Sequence, residues 1–168
     1  MSTSDLILEG SAITGRGRSV NPFLLLQDAA GFIGFASEVF GAIENSDVRT
    51  PTPDGKLIHA ELRFGDSLLL LSDSLDGWPL RPGLLQIWVA NVDELLDRAT
   101  ALGSAVVTPP TPFYGSVTLA RLRDPWQNLW WIYQPAPGQA DPQPAWEGGS
   151  DVVFRTLNDE LRAEAAAG

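Results

Sequence analysis

Apolar and polar positions along the chain fall into two cycles of the same kind. In the first, Phe23 to Gln27 reads as a short apolar strand and Asp28 as the cap of a helix. Within that helix Phe32, Phe35, Val39 and Phe40 approximate an i, i+3, i+7, i+8 stripe before Gly41 stops it. A strand is expected from Ala42 to about Val48. Pro51-Thr52-Pro53-Asp54-Gly55 is a turn by its residue chemistry, and strands over 56–64 and 67–72 follow, separated by Gly65-Asp66.

The second cycle repeats the order. A strand over 85–90 leads to an Asn91 or Asp93 cap, then to a helix with Leu95, Ala99 and Leu102 at i, i+4, i+7, then to Gly103 and a strand over 104–108. Pro109, Pro110 and Pro112 predict a turn before strand 116–123. Asp124-Pro125-Trp126-Gln127-Asn128 is a tight turn and 129–134 the last strand. The offset from Asn21 to Gln86 equals that from Asp28 to Asp93, and Leu62-Arg63-Phe64-Gly65 has its counterpart in Leu122-Arg123-Asp124-Pro125. A repeat of roughly 60 residues present twice is a duplicated supersecondary unit, not a solenoid.

These patterns predict an α+β protein of two βαβββ modules, 20–73 and 84–134, in a single domain over 20–134, with a linker carrying Trp78 between them. A flexible Gly/Arg-rich lead is expected over 1–19 and a Pro/Gly-rich strap over 135–149. An amphipathic helix over 150–168, capped by Ser150, carries a Val153, Leu157, Leu161 stripe with Asp159, Glu160 and Arg162 away from it.

Alternation on the strand around His59, the single histidine, puts His59, Glu61 and Arg63 on one face and Ala60, Leu62 and Phe64 on the other. If the apolar set packs on the helices, His59 and Glu61 are a proton-transfer or recognition pair with Arg63 as counter-charge; otherwise the three form a solvated face with a Glu–Arg ion pair. Asp124, Pro125 and Asn128 read as type I turn chemistry.

Composition removes several function classes. The chain has 21 acidic and 11 basic residues, a net charge of −10, and scattered basic residues, which argues against nucleic acid as a partner. Such a field favours a cationic small molecule. With no cysteine there is no thiolate nucleophile or sulfur metal site. The expectation is a cytoplasmic protein with no signal peptide and no membrane partner. No G-x-S-x-G, P-loop, dinucleotide fingerprint or HExxH is present.

The strand-Asp-helix opening over 21–40, the hairpin His59-Ala60-Glu61-Leu62-Arg63-Phe64-Gly65-Asp66-Ser67 and the turn Asp124-Pro125-Trp126-Gln127-Asn128 before Leu129-Trp130-Trp131-Ile132-Tyr133 carry a resemblance. Over roughly 20–134 the chain resembles the vicinal oxygen chelate superfamily, which includes glyoxalase I, extradiol dioxygenases, and fosfomycin- and bleomycin-resistance proteins. That resemblance implies a sheet curled round a cavity, with metal ligands on the first and last strands of each half. The corresponding positions here are Asn21, Asp73, Gln86 and Trp131: one carboxylate, two amides and an indole that cannot ligate.

The reading that follows is a metal-independent binding protein of the bleomycin-resistance type. It would sequester an aromatic or cationic compound between the modules, with no cofactor, and act as a homodimer that gives the C-terminal stripe a surface to cover. Trp88 and Trp131 share the parity of Gln86 and offer stacking surfaces, whereas Trp130 points toward the helices. Phe113 and Tyr114 lie in a loop where relatives place a pocket-lining aromatic, although Tyr114 could equally pin that loop. The alternative is an enzyme of the same fold: a metal-free isomerase, cyclase or lyase using His59 and Glu61, or a metal-dependent lyase or dioxygenase using His59, Glu61 and Asp73.

Overall fold

A computed structural model describes residues 18–113, 117–136 and 151–167. The expected strap and the Ser150 cap fall outside these residues apart from Pro135 and Ala136, as does most of the N-terminal lead. The fold is α+β, built of two compact units, 1–82 and 83–168, each with its own mixed sheet. Among the described residues no helix is long and apolar enough to cross a membrane.

In the first unit, β1 (Phe23–Leu26) runs into α1 (Ala29–Phe40), followed by β2 (Ile43–Glu44), a 3-10 turn over Ser46–Val48, β3 (Thr50–Pro51), β4 (Leu57–Phe64) and β5 (Ser67–Asp73). The sheet order is β1-β5-β4-β2, with β1 parallel to β5 and β3 also on β4. Asp28 caps α1 as expected, with Oδ1 accepting from the Gly31 amide at 2.9 Å. A Cβ at Gly31 would lie 2.1 Å from Asp28 Oδ2, so any larger residue there would push the capping carboxylate from its present position. Gly41, at φ 67°, ends the helix in the left-handed region. The helix buries Phe32, Phe35, Ala36 and Val39, on the side of the sheet where Leu24, Ala60, Leu62 and Leu71 are also buried.

The single strand expected over 42–48 is instead a two-residue strand and a 3-10 turn. Asn45 is the hinge: its amide donates to the Glu61 carbonyl at 3.0 Å while Val48 N and Arg49 N close back onto Asn45 and Ser46.

The second unit repeats the plan: β6 (Leu84–Trp88), α2 (Val92–Ala101), β7 (Ala105–Pro112), β8 (Thr118–Arg123), β9 (Leu129–Gln134), then α3 (Asp151–Ala167), in sheet order β6-β9-β8-β7. Asn91 is the α2 cap, its Oδ1 accepting from Glu94 N at 3.1 Å. Val92, Leu95, Leu96 and Ala99 are buried; Leu102, expected on that stripe, is the half-exposed C-cap. The proline turn expected at 109–112 is corrected: β7 continues through all three prolines. It is an edge strand with register shifts between Val106 and Thr108 and again between Thr108 and Thr111, so a missing N–H costs no inner ladder bond.

The C-terminal helix also departs from expectation. Val153 is buried and Leu157 half-buried, but Leu161 is 42% exposed, and the side of the helix toward the sheet also carries Thr156, Glu160 and Glu164. Glu160, expected on the solvent side, pairs with Arg123 because two arginine-bearing positions of β8 lie under the helix.

Candidate functional site

In the first unit the register aligns Phe23, Leu70 and Glu61 across β1, β5 and β4, so these side chains share the face opposite α1. His59, two residues along β4 on the same face, sits with Nε2 3.5 Å from Glu61 Oε1 and its ring 6.3 Å from that of Phe23. Glu61 Oε2 accepts from Asn45 Nδ2 at 3.0 Å, which fixes the carboxylate from the other side. Both residues of the pair are partly buried, enough to hold geometry while leaving access. Arg63 turns away from Glu61 and donates to the Gly65 carbonyl at 2.9 Å.

Asn21 and Asp73 do not join this pair. The Asn21 amide closes a local turn, accepting from Arg18 N at 2.9 Å and donating to Arg18 O at 2.7 Å. Asp73 is paired in register with Leu26, hence on the α1 side of the sheet. Its oxygens accept from Ala29 N at 2.7 Å and Leu57 N at 2.6 Å, tying the start of α1 to the start of β4. A cavity of about 360 Å³ beside it is lined by Asp28, Lys56, Asp76 and Trp78, and Lys56 Nζ lies 3.4 Å from Asp76 Oδ1.

In the second unit Gln86, Trp131, Arg121 and Thr108 align across β6, β9, β8 and β7, and Trp88, Tyr133 and Leu119 form the next row on that face. Trp88 is 58% exposed and stacks on Tyr133 with centroids 5.1 Å apart. Gln86 is exposed on the edge strand. Trp130 points to the other side, as expected, with Nε1 donating to Asp124 Oδ2 at 2.9 Å. Burial raises the Asp124 carboxyl above its usual value, against the opposing pull of the Trp130 and Asn128 side chains and the amides of Asn128 and Trp126. Phe113 packs partly buried against Leu119, Tyr133 and Val153; Tyr114 lies outside the described residues.

Arg121 is the residue that sequence reasoning missed. It is 1% exposed, and its guanidinium carbon lies 4.0 Å from the centroid of Trp131. Nη1 donates to the Val153 carbonyl at 2.7 Å and to Thr108 Oγ1 at 3.1 Å. Burial lowers its pKa, the interaction with Tyr133 opposing the shift. No carboxylate among the described residues pairs with it, and Arg121 Nε and Trp131 Nε1 are buried without hydrogen-bond partners there. The signal was available: the alternation Leu119, Arg121, Arg123 on β8, and the repeat that puts Arg121 where the first half has Glu61.

The four positions that the resemblance assigns to metal ligands do not fit a metal. The Asn21 amide is satisfied locally, Asp73 lies on the opposite face with both oxygens on backbone amides, Gln86 is an amide, and Trp131 offers an N–H donor. The set His59, Glu61 and Asp73 fails because the sheet separates Asp73 from the other two. Among the described residues no group of three or more His, Asp or Glu side chains is placed to hold an ion.

No protein-family model matches the sequence. The uncharacterized protein Rv0887c of Mycobacterium tuberculosis (strain H37Rv) is 32% identical over 131 residues, covering 70% of this chain and 74% of that one. The uncharacterized protein Mb0911c of Mycobacterium bovis matches at the same identity over 83% of its length. Among solved structures, a glyoxalase/bleomycin resistance/dioxygenase family enzyme of Burkholderia phytofirmans superposes with TM-score 0.55 at 24% identity, covering 70% of this chain and 96% of that one. TioX of Micromonospora sp. ML1 gives 0.54 at 23%, covering 72% and 98%. The fosfomycin resistance protein FosX of Listeria monocytogenes gives 0.56 at 16%, covering 74% and 96%. The chain belongs to the family of these uncharacterized mycobacterial proteins, and its fold is the vicinal oxygen chelate fold shared by glyoxalase, bleomycin-resistance and dioxygenase proteins.

Proposed function

We propose that the protein is a metal-independent small-molecule binder of the glyoxalase/bleomycin-resistance type, holding a planar aromatic compound on the face of its second sheet. The observation that carries this reading is Trp131 at the last-strand ligand position, with an exposed Trp88 stacked on the buried Tyr133 in the adjacent row. Indoles and phenols stack on planar ligands, each contact contributing about 1 kcal/mol beyond the area it buries. Sequestration of an antibiotic-like compound, in a cytoplasmic homodimer, is the setting we propose for it. Thermal melting of metal-stripped protein against a panel of neutral, cationic and anionic aromatic compounds tests the reading. At least one class should raise the melting temperature with EDTA present; stabilisation by none, or only after a divalent metal is added, would contradict it.

A second reading rests on the first unit. His59 and Glu61, with Asn45 holding the carboxylate, are arranged as a general acid–base pair on an accessible face. If the protein turns over a bound compound there, His59→Ala and Glu61→Gln should each lower the rate by about two to four orders of magnitude. A loss of affinity alone would leave only the binding role.

A further inference from the structure

The face proposed to bind is not open along its whole width, because α3 lies across the β7–β8 side of it. Its hold there combines one fully buried apolar side chain with a set of polar contacts. Val153 is its one deeply buried apolar side chain, packed on Leu119 and Tyr133. The other attachments are the Val153 carbonyl on Arg121, a Thr108–Thr156 hydroxyl pair at 2.6 Å, and ion pairs from Arg123 to Glu160 and Glu164. Val152 and Leu157 are half-buried and Leu161 is exposed, so Val153 is the one apolar side chain of the helix that is fully buried.

Beneath it lies a guanidinium whose chemistry is only half used. A buried Arg is ordinarily satisfied by a carboxylate through two parallel N–H···O bonds. Arg121 has instead a neutral carbonyl and a hydroxyl, and its Nε is left over beside the equally unpartnered Trp131 Nε1. Two buried donors on one aromatic platform ask for an oxygen acceptor carrying negative charge. Resting on the binding reading above, we propose that the second unit is an aromatic-carboxylate site gated by its own C-terminal helix. The carboxylate pairs with Arg121 and takes the place of the Val153 carbonyl, and the ring lies along the Trp131, Tyr133 and Trp88 face. Release of α3 is therefore the step that admits ligand, and apparent affinity is reduced by the fraction of molecules in which the helix is docked.

The absence of cysteine allows a direct test in the full chain. With hydroxyls 2.6 Å apart, Thr108 and Thr156 stand close enough for a disulfide to replace them, so a Thr108→Cys/Thr156→Cys protein locks α3 when oxidised and frees it when reduced. Titration with 2-naphthoate, followed by tryptophan fluorescence, should give binding about tenfold or more tighter in the reduced than in the oxidised form. Glu160→Gln/Glu164→Gln, which leaves the sheet untouched, should bind 2-naphthoate about fivefold tighter than the unaltered protein. Arg121→Gln should remove the preference for 2-naphthoate over neutral 2-naphthamide. Equal binding of 2-naphthoate in both redox forms, or no gain in the glutamine variant, overturns the gate. A preference for 2-naphthamide or for a naphthyl ammonium overturns the anion site while leaving the binding reading intact. Binding of none of the three by any form overturns both.

Discussion

Asp124 accepts hydrogen bonds from the Trp126 and Asn128 amides, the Asn128 side chain and the Trp130 indole, at 2.8–2.9 Å. The turn chemistry expected of it is thus only part of its work. It also anchors Trp130 on the α2 side of β9, and so fixes the parity that delivers Trp131 to the other face. Asp124→Ala leaves several buried donors unsatisfied and is expected to cost about 3–5 kcal/mol in urea unfolding. A cost near that of a surface substitution would show that the network does not hold the strand. The period-two pattern was enough to separate Trp130 from Trp131 and His59 from Ala60. It could not show that Asp73 is a structural clamp, because its donors, Ala29 and Leu57, are backbone amides brought to it by the fold. Nor could it show what Arg121 meets, since Val153 arrives from 32 residues away.

At the scale of elements, the helices and most strands follow from periodicity and caps, while the break within 42–48, the run of β7 through its prolines and the inward glutamates of α3 do not. Proline chemistry reads as a turn unless the strand is known to be an edge, and edge position is a property of the sheet order. The α3 stripe was read from its apolar residues alone. The helix turned its glutamates inward because β8 presents Arg123 beneath them, a pairing no local pattern encodes. With a single buried apolar anchor, α3 should open separately from the sheet. Val153→Ala, costing about 1–2 kcal/mol, is expected to raise amide exchange across 151–167 roughly tenfold while β8 and β9 keep their protection. Equal loss across helix and sheet would mean that they unfold together.

For the whole molecule, the duplication was legible from matched offsets and the fold from the order of elements. The divergence between the halves was not. Equivalent strands carry Glu61 in one unit and Arg121 in the other, with a partly buried polar pair in the first and a buried guanidinium stacked on Trp131 in the second. The net charge of −10 suggested a cationic ligand, but a field averaged over the surface says nothing about the sign at one buried position. Local donors decide that, and the anion site proposed for the second unit rests on two of them, Arg121 Nε and Trp131 Nε1.

The central claim, that this fold here binds an aromatic ligand without a metal, is tested most directly by titrating EDTA-treated protein with 2-naphthoate, 2-naphthamide and a naphthyl ammonium in turn while following tryptophan emission. The account predicts a saturable change with one site per chain that is weakened about tenfold in Trp88→Ala and restored by no divalent metal. A signal that saturates with none of the three, that is unchanged in Trp88→Ala, or that appears only when metal is added would contradict it.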